Sequence, residues 1–167
     1  MAAELNQAGL EALAQQLGER LLARGWMLAT AESCTGGWVA QCLTAIAGSS
    51  AWFERGFVTY SNAAKMDMLG VAERLLEKHG AVSEPVARAM AQGAVAHSRA
   101  QWSLAITGIA GPTGGSAEKP VGMVCFAWAS PDGGCTACTR YFDGDRAGIR
   151  RQAVAFALEG LLLQLEK

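Results

Sequence analysis

Leu5, Leu10, Leu13, Leu17 and Leu21 recur at helical spacing from about residue 4 to Arg24, and Gly25 follows as a stop, which predicts an amphipathic first helix. The apolar run from Trp26 to Ala31 predicts a buried strand. It is followed by a loop, Glu32-Ser-Cys-Thr-Gly-Gly37, and an apolar helix to about Ala47. Phe57 to Tyr60 is aromatic and β-branched and predicts a second strand, with Ser61 and Asn62 as helix N-caps just after it. A short helix should then carry Lys65 to Leu69, and a further turn or two should run from Ala72 to His79 before Gly80. A longer helix should start at Ser83-Glu-Pro85 and reach about Arg99, because proline is tolerated in a first helical turn.

Trp102 to Thr107 reads as a third strand, leading into Gly108-Ile-Ala-Gly-Pro-Thr-Gly-Gly115, a loop by its glycine and proline content. Two strands, Val121–Ala129 and Cys135–Phe142, flank an Asp132-Gly133 hairpin signal, and a helix from about Asp145 to Leu165 closes the pattern. Strands alternating with helices and then a hairpin predict the α/β class: a three-layer α/β/α domain, single over residues 1–167, around a mixed sheet of about five strands. Ligand sites in such sheets collect beyond the carboxyl ends of strands, which selects the loops at 32–37, 60–65 and 107–115.

Composition narrows the function classes. The 167 residues carry a formal net charge of −1 without a basic stripe, so the electrostatic term behind most nucleic-acid binding is missing. No apolar stretch approaches the roughly 20 residues of a membrane helix, and residues 1–6 lack the basic start and apolar core of a secretory signal. A cytoplasmic protein with neither nucleic-acid nor membrane partners is expected. Five cysteines, Cys34, Cys42, Cys125, Cys135 and Cys138, fit reduced, mostly buried thiols. Cys135-x-x-Cys138 lacks a second pair and a nearby histidine, so no metal is expected there. Neither His79 nor His97 is assigned a catalytic role.

Ser33 lies between a strand and a Gly-Gly helix start, where its hydroxyl can act as a nucleophile and neighbouring N–H groups can hold an anion. Alternatively, Ser33, Thr35 and Gly36 only cap the helix. Lys65, near a helix start, faces the positive end of the dipole and gains no stability there. A neutral Lys65 could serve as general base, whereas a solvated surface lysine is the plain alternative. Tyr60, five residues earlier, could orient that amine or relay a proton, or simply be a strand aromatic. Thr107, Gly108 and Gly111 form a second candidate wall, and Arg146 could meet a phosphate. Arg150, four residues on, is expected at the solvated surface.

Several spaced segments together resemble the CinA C-terminal family: Ala31-Glu-Ser-Cys-Thr-Gly-Gly37, Gly48-Ser-Ser-Ala-Trp-Phe53, Val58-Thr-Tyr-Ser-Asn62 with Lys65, Leu69-Gly-Val71, Val82-Ser-Glu-Pro85 and Gly108 to Gly115. Phe142-x-Gly-Asp-Arg146 with Ile149-Arg150 resembles that family's entry to the final helix. The resemblance implies a nicotinamide-nucleotide amidase that acts without metal or cofactor, with Ser33, Lys65 and Tyr60 in the catalytic roles. Thr35, Gly36, Gly37, Asn62, Thr107, Gly108, Gly111 and Arg146 are the candidate substrate contacts. Two rivals stand beside this reading: a thiol amidase using Cys34 with Glu32 and Lys65, and a nucleotide-binding regulatory module without turnover. A homo-oligomer is expected, because active sites of small α/β domains often lie near subunit contacts.

Overall fold

Among residues 5–167, which the computed structural model describes, a central sheet has the strand order β2-β1-β3-β4-β5. The strands are β1 (Leu28–Glu32), β2 (Phe53–Val58), β3 (Trp102–Gly108), β4 (Met123–Ala129) and β5 (Cys135–Tyr141). β1 pairs in parallel with both β2 and β3, whereas β4 and β5 are antiparallel, so the sheet is mixed as the hairpin pattern predicts. The helices are α1 (Gln7–Arg24), α2 (Trp38–Thr44), α3 (Asn62–Leu69), α4 (Glu73–His79), α5 (Glu84–Ala96) and α6 (Arg146–Leu165). No helix among the described residues is long and apolar enough to cross a membrane.

Helices α1, α2 and α6 cover one face, where Leu13, Leu17, Leu104, Ile106, Phe126 and Leu158 build the larger core. Helix α5 covers the other, and there the sheet presents Ala29, Ala31, Ala105 and Ala127. These small side chains let the helix backbone approach closely enough for Ser103 Oγ to donate to Ala91 O at 2.6 Å. Cys135 packs toward the α5 side and Cys138 toward the α6 side, as their strand spacing requires. β1 is buried along its whole length, the mark of a strand covered on both faces.

Several boundaries differ from the sequence expectations. The second strand starts at Phe53 and ends at Val58, so Thr59 and Tyr60 lie beyond it. Gly56 obscures that strand in the sequence pattern, and a Cβ there would come within 2.8 Å of Thr30 Oγ1. The second helix stops at Thr44, before a turn and the short 3₁₀ helix Ser49–Ala51, and the helix expected to reach Arg99 stops at Ala96. The first helix begins at Gln7 with Asn6 as its cap, and the expected start near residue 4 lies outside the described residues.

Candidate active site

The carboxyl ends of β1, β2 and β3 come together at one edge of the molecule. Ser33 follows β1 directly, and its own amide donates to Ile106 O of β3 at 3.0 Å, which places the residue at the seam between the two strands. Thr59 N donates to Glu32 O at 2.8 Å, so the chain leaving β2 runs alongside the same point. Ser61 then caps α3, its hydroxyl accepting from Ala64 N, and Lys65 falls on the buried side of that helix's first turns.

Ser33 and Lys65, 32 positions apart in sequence, meet there. Lys65 Nζ lies 3.0 Å from Ser33 Oγ and donates to Thr59 O at 2.9 Å. Lys65 is 1% exposed and is among the largest fully buried side chains. Burial holds its pKa below the ordinary lysine value, with only an opposing push from Cys34. Burial thus favours the neutral form of the amine, whose lone pair is what could take the Ser33 proton.

The turn between Ser33 and α2 is clamped from within. Glu32, 1% exposed, accepts from Thr35 Oγ1 at 2.7 Å and Val39 N at 2.9 Å through one oxygen, and from Ala40 N at 3.1 Å through the other. Burial raises its pKa and these donors pull it back. Because every partner is a donor, the arrangement fits the ionised carboxylate at the amino end of α2. Replacing Glu32 with Ala strands these donors, and the variant is expected to lose about 3 kcal/mol in urea unfolding. Gln should recover only part of that loss, since its NH₂ has to face an N–H.

The turn also carries free donors. The Ser33 amide is engaged with Ile106, and the Gly36 amide donates to Ser33 O at 3.0 Å. The Cys34 amide has only its own thiol as a protein acceptor, and the amide of the fully buried Thr35 donates to none among the described residues. The Cys34 amide directly follows the nucleophile candidate, the position at which an oxyanion site requires a donor.

Ser33, Cys34, Tyr60, Asn62, Lys65, Thr107, Gly108, Gly111 and Arg146 line one cavity of about 300 Å³, completed by Ala81, Val82, Ile109, Ala110, Thr113 and Gly114. A larger cavity of about 520 Å³ lies among Trp26, Trp102 and Trp128, at the amino ends of β1 and β3, away from the buried amine. Chemistry rather than size therefore selects the smaller one.

Three expected substrate contacts are displaced. Thr35 is fully buried and turned toward Glu32, and Gly36 and Gly37 pack near Arg150 and Val58; none of the three lines the cavity. Thr107 reaches the cavity wall while donating its hydroxyl to Ala81 O at 2.9 Å. Tyr60 stands at the cavity mouth, 64% exposed, and its hydroxyl accepts from Arg146 Nη2 at 3.3 Å; it has no bond to Lys65 among the described residues. Arg146 also donates to Gly111 O at 2.7 Å, tying α6 to the glycine loop.

Arg150 is not the solvated residue expected from the sequence. It is half-buried and donates through Nε to Cys34 O at 3.0 Å and through Nη2 to Thr35 O at 3.2 Å. Its spacing of four from Arg146, which puts the two on one helix face, is the signal that could have found it. Glu32 had a comparable signal: it is the one charged residue closing an otherwise apolar strand, next to a helix start.

Comparison with known proteins adds a family to this geometry. Residues 10–165 match the family model described as the CinA C-terminal domain. The chain is similar to the nicotinamide-nucleotide amidohydrolase PncC of Escherichia coli strain K12, with 56% identity over 96% of this chain and 97% of that one. To the protein of the same name from Pseudomonas putida it is 53% identical over 90% of this chain and 93% of that one. Its structure superposes on the crystal structure of the competence/damage inducible protein CihA from Agrobacterium tumefaciens with a TM-score of 0.90 and 50% identity, covering 95% and 96% of the two chains.

Proposed function

The chain belongs to the CinA C-terminal domain family, and on that premise we propose that it is a nicotinamide-nucleotide amidase, hydrolysing the carboxamide of nicotinamide mononucleotide to nicotinate mononucleotide and ammonia. The observation that carries this reading is the buried Lys65 amine, 3.0 Å from a serine hydroxyl in an open cavity.

In the proposed reaction, neutral Lys65 takes the Ser33 proton as Oγ attacks the carboxamide carbon. The Cys34 amide, in the residue that follows the nucleophile and lines the cavity, holds the oxyanion. Lys65 then gives its proton to the departing nitrogen, ammonia leaves, and a water activated by the same amine hydrolyses the resulting ester, releasing the carboxylate and restoring Ser33. Thr107, Gly108 and Gly111 supply the wall along the substrate. Arg146, the cation at the mouth, meets the phosphate, with Tyr60 steadying the guanidinium at the rim.

Ammonia release from nicotinamide mononucleotide by the purified protein is the direct test. Tight binding with no ammonia over a long incubation would instead favour the non-catalytic module.

Cys34 is the weaker nucleophile candidate. Burial and the Glu32 charge push its thiol up to about 11, so it stays protonated at neutral pH, when only the thiolate is strongly nucleophilic. Cys34→Ala is therefore expected to keep ammonia release within about tenfold of the parent, since its backbone amide is unchanged. Loss of all activity in that variant would transfer the nucleophile role to the thiol.

A further inference from the structure

Most polar side chains that line the cavity are already engaged. Lys65 lies against Ser33 Oγ, Thr107 donates to Ala81 O, and Arg146 bridges the Tyr60 hydroxyl and Gly111 O. Asn62 and Thr113 differ. Both line the cavity and are exposed, and neither side chain has a hydrogen-bond partner among the described residues. Asn62 is not needed as a helix cap either, although its place in the sequence suggests one. Ser61 fills that role, accepting from Ala64 N through Oγ at 3.0 Å and from Lys65 N through its carbonyl at 3.1 Å. The side-chain amide of Asn62 is therefore left without a structural task at the wall of the site.

Its place along that wall is set by α3. Tyr60 stands at the mouth beside Arg146, Asn62 opens the helix two residues later, and Lys65 comes three residues further on, buried against Ser33. Residues three apart share a helix face, and three helical steps separate them by about 4.5 Å along the axis. The chain thus runs from the cationic mouth to the buried amine with Asn62 between them. A nicotinamide mononucleotide whose carboxamide meets Ser33 and whose phosphate meets Arg146 has its ribose in that interval. The apolar part of the lining, Ala81, Val82, Ile109 and Ala110, suits the flat pyridine ring instead. Thr113 offers a single hydroxyl, whereas a primary amide carries an acceptor oxygen and a donor nitrogen side by side, the pairing that two neighbouring sugar hydroxyls need.

We propose that Asn62 is a specificity-determining residue whose side-chain amide hydrogen-bonds the ribose hydroxyls of the mononucleotide, between the buried amine and the cationic mouth. This rests on the amidase reading and adds to it a requirement for the ribosyl group, which neither the Ser33–Lys65 pair nor Arg146 imposes.

The test measures steady-state kinetics of the parent and of Asn62→Ala on nicotinamide mononucleotide and on its 2′-deoxy and 3′-deoxy analogues. The parent should use at least one deoxy analogue about tenfold less well in kcat/KM than the ribosyl substrate, the equivalent of one hydrogen bond. Asn62→Ala should lose about tenfold on the ribosyl substrate but less than about threefold on that analogue, so that removing the amide and removing the hydroxyl are not additive. The pH dependence of kcat in the variant should follow that of the parent, because Ser33 and Lys65 keep their bond. Equal losses on all three substrates, or no loss on any, would overturn the proposal and leave the amidase reading standing. A parent protein inert toward nicotinamide mononucleotide would instead bring down the amidase reading first, and this inference with it. If Asn62→Ala fails to fold, the same comparison of substrates is read from Asn62→Ser.

Discussion

Ser33→Ala is expected to lower ammonia release from nicotinamide mononucleotide by about 10³-fold or more, because among the described residues no other hydroxyl bonds to the buried amine. Substrate affinity should hardly change, since the cavity wall and Arg146 stay in place. Ser33 is itself 8% exposed and its backbone amide stays bonded to Ile106, so thermal stability should remain near that of the parent. Steady-state kinetics with a binding measurement on the same variant separates the two effects. Activity persisting in this variant would reject Ser33 as the nucleophile.

The second large effect concerns Lys65. Lys65→Met should reduce kcat by about 10²- to 10⁴-fold, the range typical for loss of a general base. Lys65→Arg should do no better, since guanidinium keeps its proton. In the parent, the rate should rise with pH through the titration of Lys65, on a limb lying below the ordinary value of 10.5 because burial favours the neutral amine. That limb should be missing from the residual activity of Lys65→Met. A parent profile flat up to pH 10 would remove Lys65 from the base role.

The same burial gives Lys65→Met an opposite effect on stability. An unfolded Lys65 keeps its proton up to about 10.5, whereas the folded one releases it at lower pH. Between the two values the unfolded state binds more protons, so the parent's stability increases with pH through that window. Methionine removes this dependence. Its stabilisation should be greatest on the acid side of the window and shrink as pH rises, less about 1 kcal/mol for the Thr59 carbonyl left without its donor. A protein that becomes more stable as it becomes inactive is the signature of a functional buried amine, as opposed to one that supports the fold.

Much of the scaffold was legible because it depends on local periodicity. The leucines of α1, the apolar β1 and β3, the Asp132-Gly133 hairpin and the Pro85 helix start all state their structure within a few residues. β2 was harder: its Glu54, Arg55 and Gly56 break the apolar pattern of an edge strand that is only half covered, so only its last residues read as strand. The cavity loops were legible from their glycines and from the rule that places sites at the carboxyl ends of strands. Which loop residues face the cavity was not. Thr35 resembles a substrate contact in sequence, yet its hydroxyl satisfies Glu32, and Arg150 resembles a surface cation, yet it meets two carbonyls more than 100 positions away.

By itself the sequence determined the layers, the order of helices and strands, and the short set of polar residues that the strand ends had to present, since hydrophobic spacing and turn chemistry act between near neighbours. Tertiary structure alone decided the rest. Only the pairing of β2 and β3 on either side of β1 brings the amine of α3 to the hydroxyl after β1 and withdraws it from water, and only the packing of α6 brings Arg150 to the turn that follows. Desolvation and backbone orientation depend on everything that surrounds a group, so neither can be read from its neighbours along the chain.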